Sequence, residues 1–137
     1  MNHRTAAPGW APERDWAQDT VRAIALPTPL DLPGLIQALA DHLGTPLAIG
    51  ETDARVVNGA LELRRGVTTI CIPAGATGRH RRFMICRGLA RALYRAPGAR
   101  DGILDLSQPL EREVEFAALA LAQHLYQTRH HPSRSSA

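Results

Sequence analysis

The sequence predicts an α+β domain, and three observations carry that assignment. Apolar residues recur at helical spacing in two stretches before residue 45 and in two after residue 78. Between them, from 47 to 72, short turn-bounded segments alternate with a period of two, the pattern of strands. Of the 137 residues 45% are apolar, enough for one core without disulfides or metal. Aromatic residues are only 4%, so that core must be built mainly of Leu, Ile, Val and Ala.

Residues 1–12 read as a flexible arm, because Pro8, Gly9 and Pro12 interrupt regular structure, with Trp10 available to pin it to the domain. The first helix is expected over 13–24. Glu13, Asp15 and Asp19 favour its positive end, Trp16, Val21 and Ile24 give an apolar side, and Leu26-Pro27-Thr28-Pro29 ends it. The second spans 31–44: Asp31 caps, Pro33 suits the first turn, Leu32, Leu35, Ile36, Leu39 and Leu43 form one face, and Gly44 stops it. Segments 47–49, 54–57 and 60–63 predict an antiparallel meander turning at Asn58-Gly59, a dipeptide that tolerates positive φ, within a short antiparallel or mixed sheet. Residues 67–72 are the most β-like run, closed by Pro73. The loop AGATG at 74–78 lacks the phosphate-loop lysine and the dinucleotide fingerprint, so it reads as a connector; the other reading is an anion nest at the following helix start.

The chain is organised around 79–95, RHRRFMICRGLARALYR. Phe83, Cys86, Ala90 and Leu93 define an apolar face that Ile85 and Leu89 widen. Arg87, Arg91 and Arg95 follow one another at i, i+4 on the opposite side, a row of like charges that solvent, acidic side chains or an anionic partner must offset. Residues 96–101 are a loop and 102–106 a short extended or irregular piece. The last helix is expected over 109–128, capped by Asp105 or Ser107, with Leu110, Val114, Ala117, Leu121 and Leu125 as its stripe. Glu111, Glu113 and Glu115 fall in its first turns and are the acids best placed to answer the arginines. The polar tail 129–137 is expected to be disordered, which leaves 13–128 as the single domain.

All sixteen basic residues are arginine and the net charge is +3, which permits a nucleic acid or an acidic protein as partner and demands neither. The first fifteen residues resemble neither a secretory signal nor a membrane span, so a cytoplasmic protein with no membrane partner is expected. Cys71 and Cys86 are too few for a disulfide scaffold and read as free thiols.

The order helix, meander, strand, long helix, final helix over 32–125 resembles the ImmA/IrrE family of small zincin-like metallopeptidase domains. The likeness is most specific at TTICIPAGATGRHRRFMICRGLARAL, where Arg82-Phe83 matches an arginine-phenylalanine pair that precedes the family's HELGH motif, and Leu89 matches its leucine. EREVEFAALALA is similar to the family's later pattern, a ligand glutamate before phenylalanine-alanine-alanine, here Phe116, Ala117 and Ala118. The resemblance therefore implies a zincin-like fold with a former active-site helix and a packing helix against it. The motif chemistry is replaced: Arg87 and Arg91 stand at the histidine positions and Gly88 at the glutamate. Guanidinium has no lone pair for zinc, and glycine cannot activate a water. Neither a metal site nor a cofactor is expected. Cys71, His80, Cys86 and His124 are the remaining soft donors for a displaced site, and their spacing matches no zinc pattern.

The leading expectation is a pseudoenzyme: a regulatory or protein-interaction module whose partner is another protein, a helix-turn-helix regulator or a second copy of itself. The resemblance implies a setting in transcription regulation or toxin–antitoxin systems, with contact through the meander and the mouth of the former cleft. One alternative is nucleic-acid binding, since residues 64–100 hold nine arginines and no acid, with Arg79, Arg81 and Arg82 together at a helix start. The other is a peptidase with displaced ligands. An ion-pair network is expected where zinc would stand, between Arg87 and Arg91 and Glu111, Glu113 or Glu115, with Arg91–Glu111 favoured; the other reading has the arginines snorkelling into solvent.

Overall fold

The structure is a computed structural model. It describes residues 9–53, 59–96 and 106–129, and the side chains of all of these but 128 and 129. Among the described residues four helices and three strands follow in the order α1 (Ala11–Arg22), α2 (Leu32–Leu43), β1 (Leu47–Thr52), β2 (Leu61–Arg64), β3 (Val67–Pro73), α3 (Gly78–Tyr94) and α4 (Pro109–Arg129). The α+β class is as the sequence predicts.

Strand β3 holds the sheet together. It pairs parallel with β1, Leu47 opposite Thr68 through Thr52 opposite Pro73, and antiparallel with β2, Leu61 opposite Ile70 through Arg64 opposite Val67. The order β1-β3-β2 corrects the expected antiparallel meander, because β3 stands between β1 and β2 and pairs parallel with β1, which makes the sheet mixed. The physical reason lies in the side chains. Thr69 to Ile72 are buried, so β3 takes the centre, whereas Glu62, Leu63 and Arg64 are exposed and suit an edge. Segment 54–57, Asn58 and Asp105 carried expectations that lie outside the described residues, as do 97–105 and 130–137.

Helix α2 forms as its sequence dictates: Asp31 accepts from the Gly34 amide at 2.8 Å, and Gly44 closes the helix in the left-handed conformation. Leu35 and Leu39 are fully buried beside α3 and β1. Helix α1 starts two residues before the expected Glu13. It buries Ala17 and Val21 against α4, while Trp16 faces outward, because a small side chain at the contact lets the two helices approach closely. Leu110 is likewise exposed, so the buried stripe of α4 runs through Val114, Ala117, Ala118, Leu121 and Leu125.

Helix α3 is the middle layer. The sheet packs on one side, α4 on another, and α2 beside it. Every residue from Met84 to Ala92 is buried as a result. That overturns the expectation that the arginine row lies opposite the core: Arg87 retains 9% of its surface and Arg91 only 1%, whereas Arg95 is exposed as the left-handed cap of the helix. With neighbours on both faces, α3 has no solvent side at its centre, so its charges must be answered inside the protein.

Candidate functional site

The connector 74–77 returns from β3 to the start of α3, with the Ala74 amide donating to the Thr52 carbonyl at 2.8 Å. Three turns later, Arg87 and Arg91 reach α4. The Arg87 guanidinium donates from Nε to Glu115 Oε1 at 2.9 Å and from Nη2 to Oε2 at 2.8 Å, a bidentate fork. Arg91 donates from Nη1 to Glu111 Oε2 at 3.2 Å and approaches Oε1 through Nη2 at 3.1 Å. Its Nη1 also donates to the Ala96 carbonyl at 3.4 Å. Arg87 lies over the Phe83 ring, 4.8 Å from its centroid, which adds a cation–π contact in a site shielded from water. The structure thus joins Arg91 to Glu111 and Arg87 to Glu115. Glu113 is not brought to the arginines: it stands beside the buried Tyr94 hydroxyl with Thr20, and burial is the main cause that pushes the tyrosine pKa up.

Gly88, between the two arginines, touches the sheet with its backbone. A Cβ there would overlap the Ile70 side chain and meet the Gly59 carbonyl oxygen at 3.0 Å. Gly59, with φ at +69°, is the other half of the contact, since a Cβ on it would come within 2.7 Å of the Gly88 nitrogen. Any side chain at position 88 forces Ile70 to shift, and a glutamate far more than an alanine.

The donor set therefore does not fit zinc. Two protonated guanidiniums neutralised by two carboxylates offer a metal no free lone pair from α3. Among the described residues no three His, Cys, Asp or Glu side chains converge as a metal site. The four soft donors are scattered. His80 is exposed at the start of α3, and a ring nitrogen of His124 lies 2.9 Å from the Pro27 carbonyl oxygen, tying α4 to the α1–α2 loop. Cys71 and Cys86 are buried free thiols; desolvation pushes Cys86 up to about 12 and raises Cys71, which receives an Arg64 guanidinium N–H at 3.5 Å.

Two features were not read from the sequence. Arg112 of α4 donates to Glu13 of α1 at 3.4 Å and to the Leu106 carbonyl at 2.8 Å, and it lies 5.5 Å from the Trp10 ring centroid. Trp10 also meets Phe116 edge to face, so the residue expected to pin the arm lies on α4. Long-range pairing of this kind has no local signal. The second feature is a groove of about 970 Å³ between α1, the start of α3 and the second half of α4. Phe83, Phe116, Leu119 and Tyr126 line it, joined by Arg14, Arg79 and Arg82. Its signal was in the sequence: α4 is apolar at 116, 119, 120 and 122 as well as along its buried stripe, more than one packing face needs. Arg81 is nearby in sequence but does not line the groove.

No helix among the described residues is long and apolar enough to cross a membrane. Comparison with known protein families, curated proteins and solved structures found no match.

Proposed function

We propose that this chain is a non-catalytic regulatory or protein-interaction module on a metallopeptidase-like plan, acting on another protein such as a helix-turn-helix regulator. One observation carries the reading. The three positions that resemble a catalytic motif, Arg87, Gly88 and Arg91, are committed to structure, as two interhelical ion pairs and a backbone contact with the sheet. Groups held this way do not turn over substrate, and a small domain without reactive groups acts by the surface it presents.

The test has two arms. Elemental analysis of protein never exposed to chelator should find no stoichiometric zinc; one zinc per chain retained through gel filtration would overturn the reading. Affinity capture from the native cell, with nucleic acid digested, should retain a specific protein. A second reading, nucleic-acid binding, rests on Arg79, Arg81 and Arg82, which have no carboxylate partner among the described residues. It replaces the first if nothing specific survives digestion and mixed-sequence DNA binds with a steep salt dependence.

A further inference from the structure

Three properties of the groove define what it takes. Its wall on α4 is a helical stripe, Leu119, Gln123 and Tyr126, spaced i, i+4, i+7 over about 10 Å. Leu119 is 49% exposed and Tyr126 also stands in solvent, so apolar surface is left uncovered there. The lining residues include three arginines and no acid; Arg14 approaches the exposed Asp15 carboxylate at 3.6 Å, whereas Arg79 and Arg82 meet no carboxylate among the described residues. We propose that this groove is the docking site for an amphipathic helix of a partner protein, whose apolar face packs on Phe83, Phe116 and Leu119 and whose flanking acidic residues pair with Arg14, Arg79 and Arg82. The proposal rests on the protein-interaction reading above and names the surface and partner chemistry for it.

Charge decides between this occupant and the others. Residues 1–8 and 130–137 contain arginine and histidine and neither Asp nor Glu, so they bring the wrong sign to the groove. A second copy docked face to face would set each arginine group against its twin, which costs affinity. A small anionic amphiphile matches the charges, but enclosed pockets bury most of such a ligand, whereas this groove is open along one side and at the upper end of their volume range. An open trough floored by Phe83, Phe116 and Leu119 and flanked by arginines is the geometry that receives the apolar face of a helix.

The probe is a labelled four-turn peptide with leucines at i, i+3, i+4 and i+7 and glutamates flanking them. Controls are a twin with lysine for glutamate, a shuffled peptide of the same composition, sodium dodecanoate and a mixed-sequence DNA duplex. The acidic amphipathic peptide should bind the full chain, and amide shifts in its NMR spectrum should cluster at Phe83, Leu119 and Gln123. Leu119→Glu should weaken binding about tenfold or more, as should Arg79→Glu with Arg82→Glu. Leu63→Glu, at a still more exposed leucine on β2, should leave it unchanged. Leu119 and Leu63 are both on the surface, and the dispersion of the same spectra confirms that each variant folds.

Equal binding of the shuffled or basic peptide overturns the proposal, as does binding unaffected by Leu119→Glu. Saturable binding of dodecanoate or DNA without the peptide overturns it in favour of those ligands. Failure here is separable from failure of the broader reading: a specific protein captured from the cell equally by wild type and by Leu119→Glu leaves an interaction module standing and removes the groove.

Discussion

Removing Glu111 should cost more than an ordinary surface charge, and its pairing with Arg91 gives the size. Arg91 is the largest fully buried side chain among the described residues, with 2% of its side chain exposed, whereas Glu111 keeps 20%. Glu111→Ala leaves a guanidinium that cannot lose its proton and cannot reach water, so about 3–5 kcal/mol of stability should go. Arg91→Ala leaves a carboxylate that water can reach, which lowers the electrostatic cost. It also deletes a buried stem, and about 2–4 kcal/mol is expected from lost packing. The double variant should lose no more than the worse single one, a coupling of at least about 2 kcal/mol read from urea unfolding of the four proteins. Arg91→Met with Glu111→Leu, which restores volume without charge, should fall close to wild type. Additive losses below about 0.5 kcal/mol each would refute the reasoning, because they describe two solvated charges.

Gly88→Ala should destabilise the fold by about 1–2 kcal/mol: alanine favours a helix by about 1 kcal/mol, and the overlap with Ile70 and the Gly59 carbonyl costs about 2–3. Gly88→Glu should fail to fold, and a gain of stability from Gly88→Ala in thermal unfolding would show that the contact is loose. Stability should also fall above pH 9. The folded state holds the Cys86 proton to about 12 against 9.0 for a free thiol, so the unfolded state ionises first. Stability is then complete below pH 9 and declines by about 1.4 kcal/mol per pH unit up to the folded pKa. Tyr94 adds in the same direction at the top of that window, since burial raises it too. Cys86→Ala should flatten the decline; an unchanged slope in urea titrations from pH 8 to 11 would assign it elsewhere.

Local signals made the helices legible. Asp31, Pro33 and Gly44 mark both ends of α2, and the stripe Val114 to Leu125 gives α4 its buried side. Sheet order was not legible, because the pairing of β1 with β3 is settled by which strand can be buried on both faces, a competition among segments. The site shows the same division. Spacing of four residues announced that Arg87 and Arg91 share a direction and that Glu111 and Glu115 could answer them, but not that the row faces inward. That depends on α3 being covered by the sheet and α4 together. Arg112 with Glu13, 99 positions apart, had no sequence signal at all.

The two ion pairs also set how far α4 can slide along α3. Glu115 faces Arg87 and Glu111 faces Arg91, so the helices run in opposite directions and each step of four forward on one is a step of four back on the other. Continued beyond Arg87, that count sets Phe83 toward Leu119 and Arg79 toward Gln123, four residues that all line the groove. Displacement by a single turn would leave one arginine and one glutamate without a counterpart, a penalty that fixes the alignment much as a polar residue fixes the stagger of a coiled coil. The groove is therefore the same seam past its last charged rung, and where it begins is decided by the charges rather than by the apolar residues that line it.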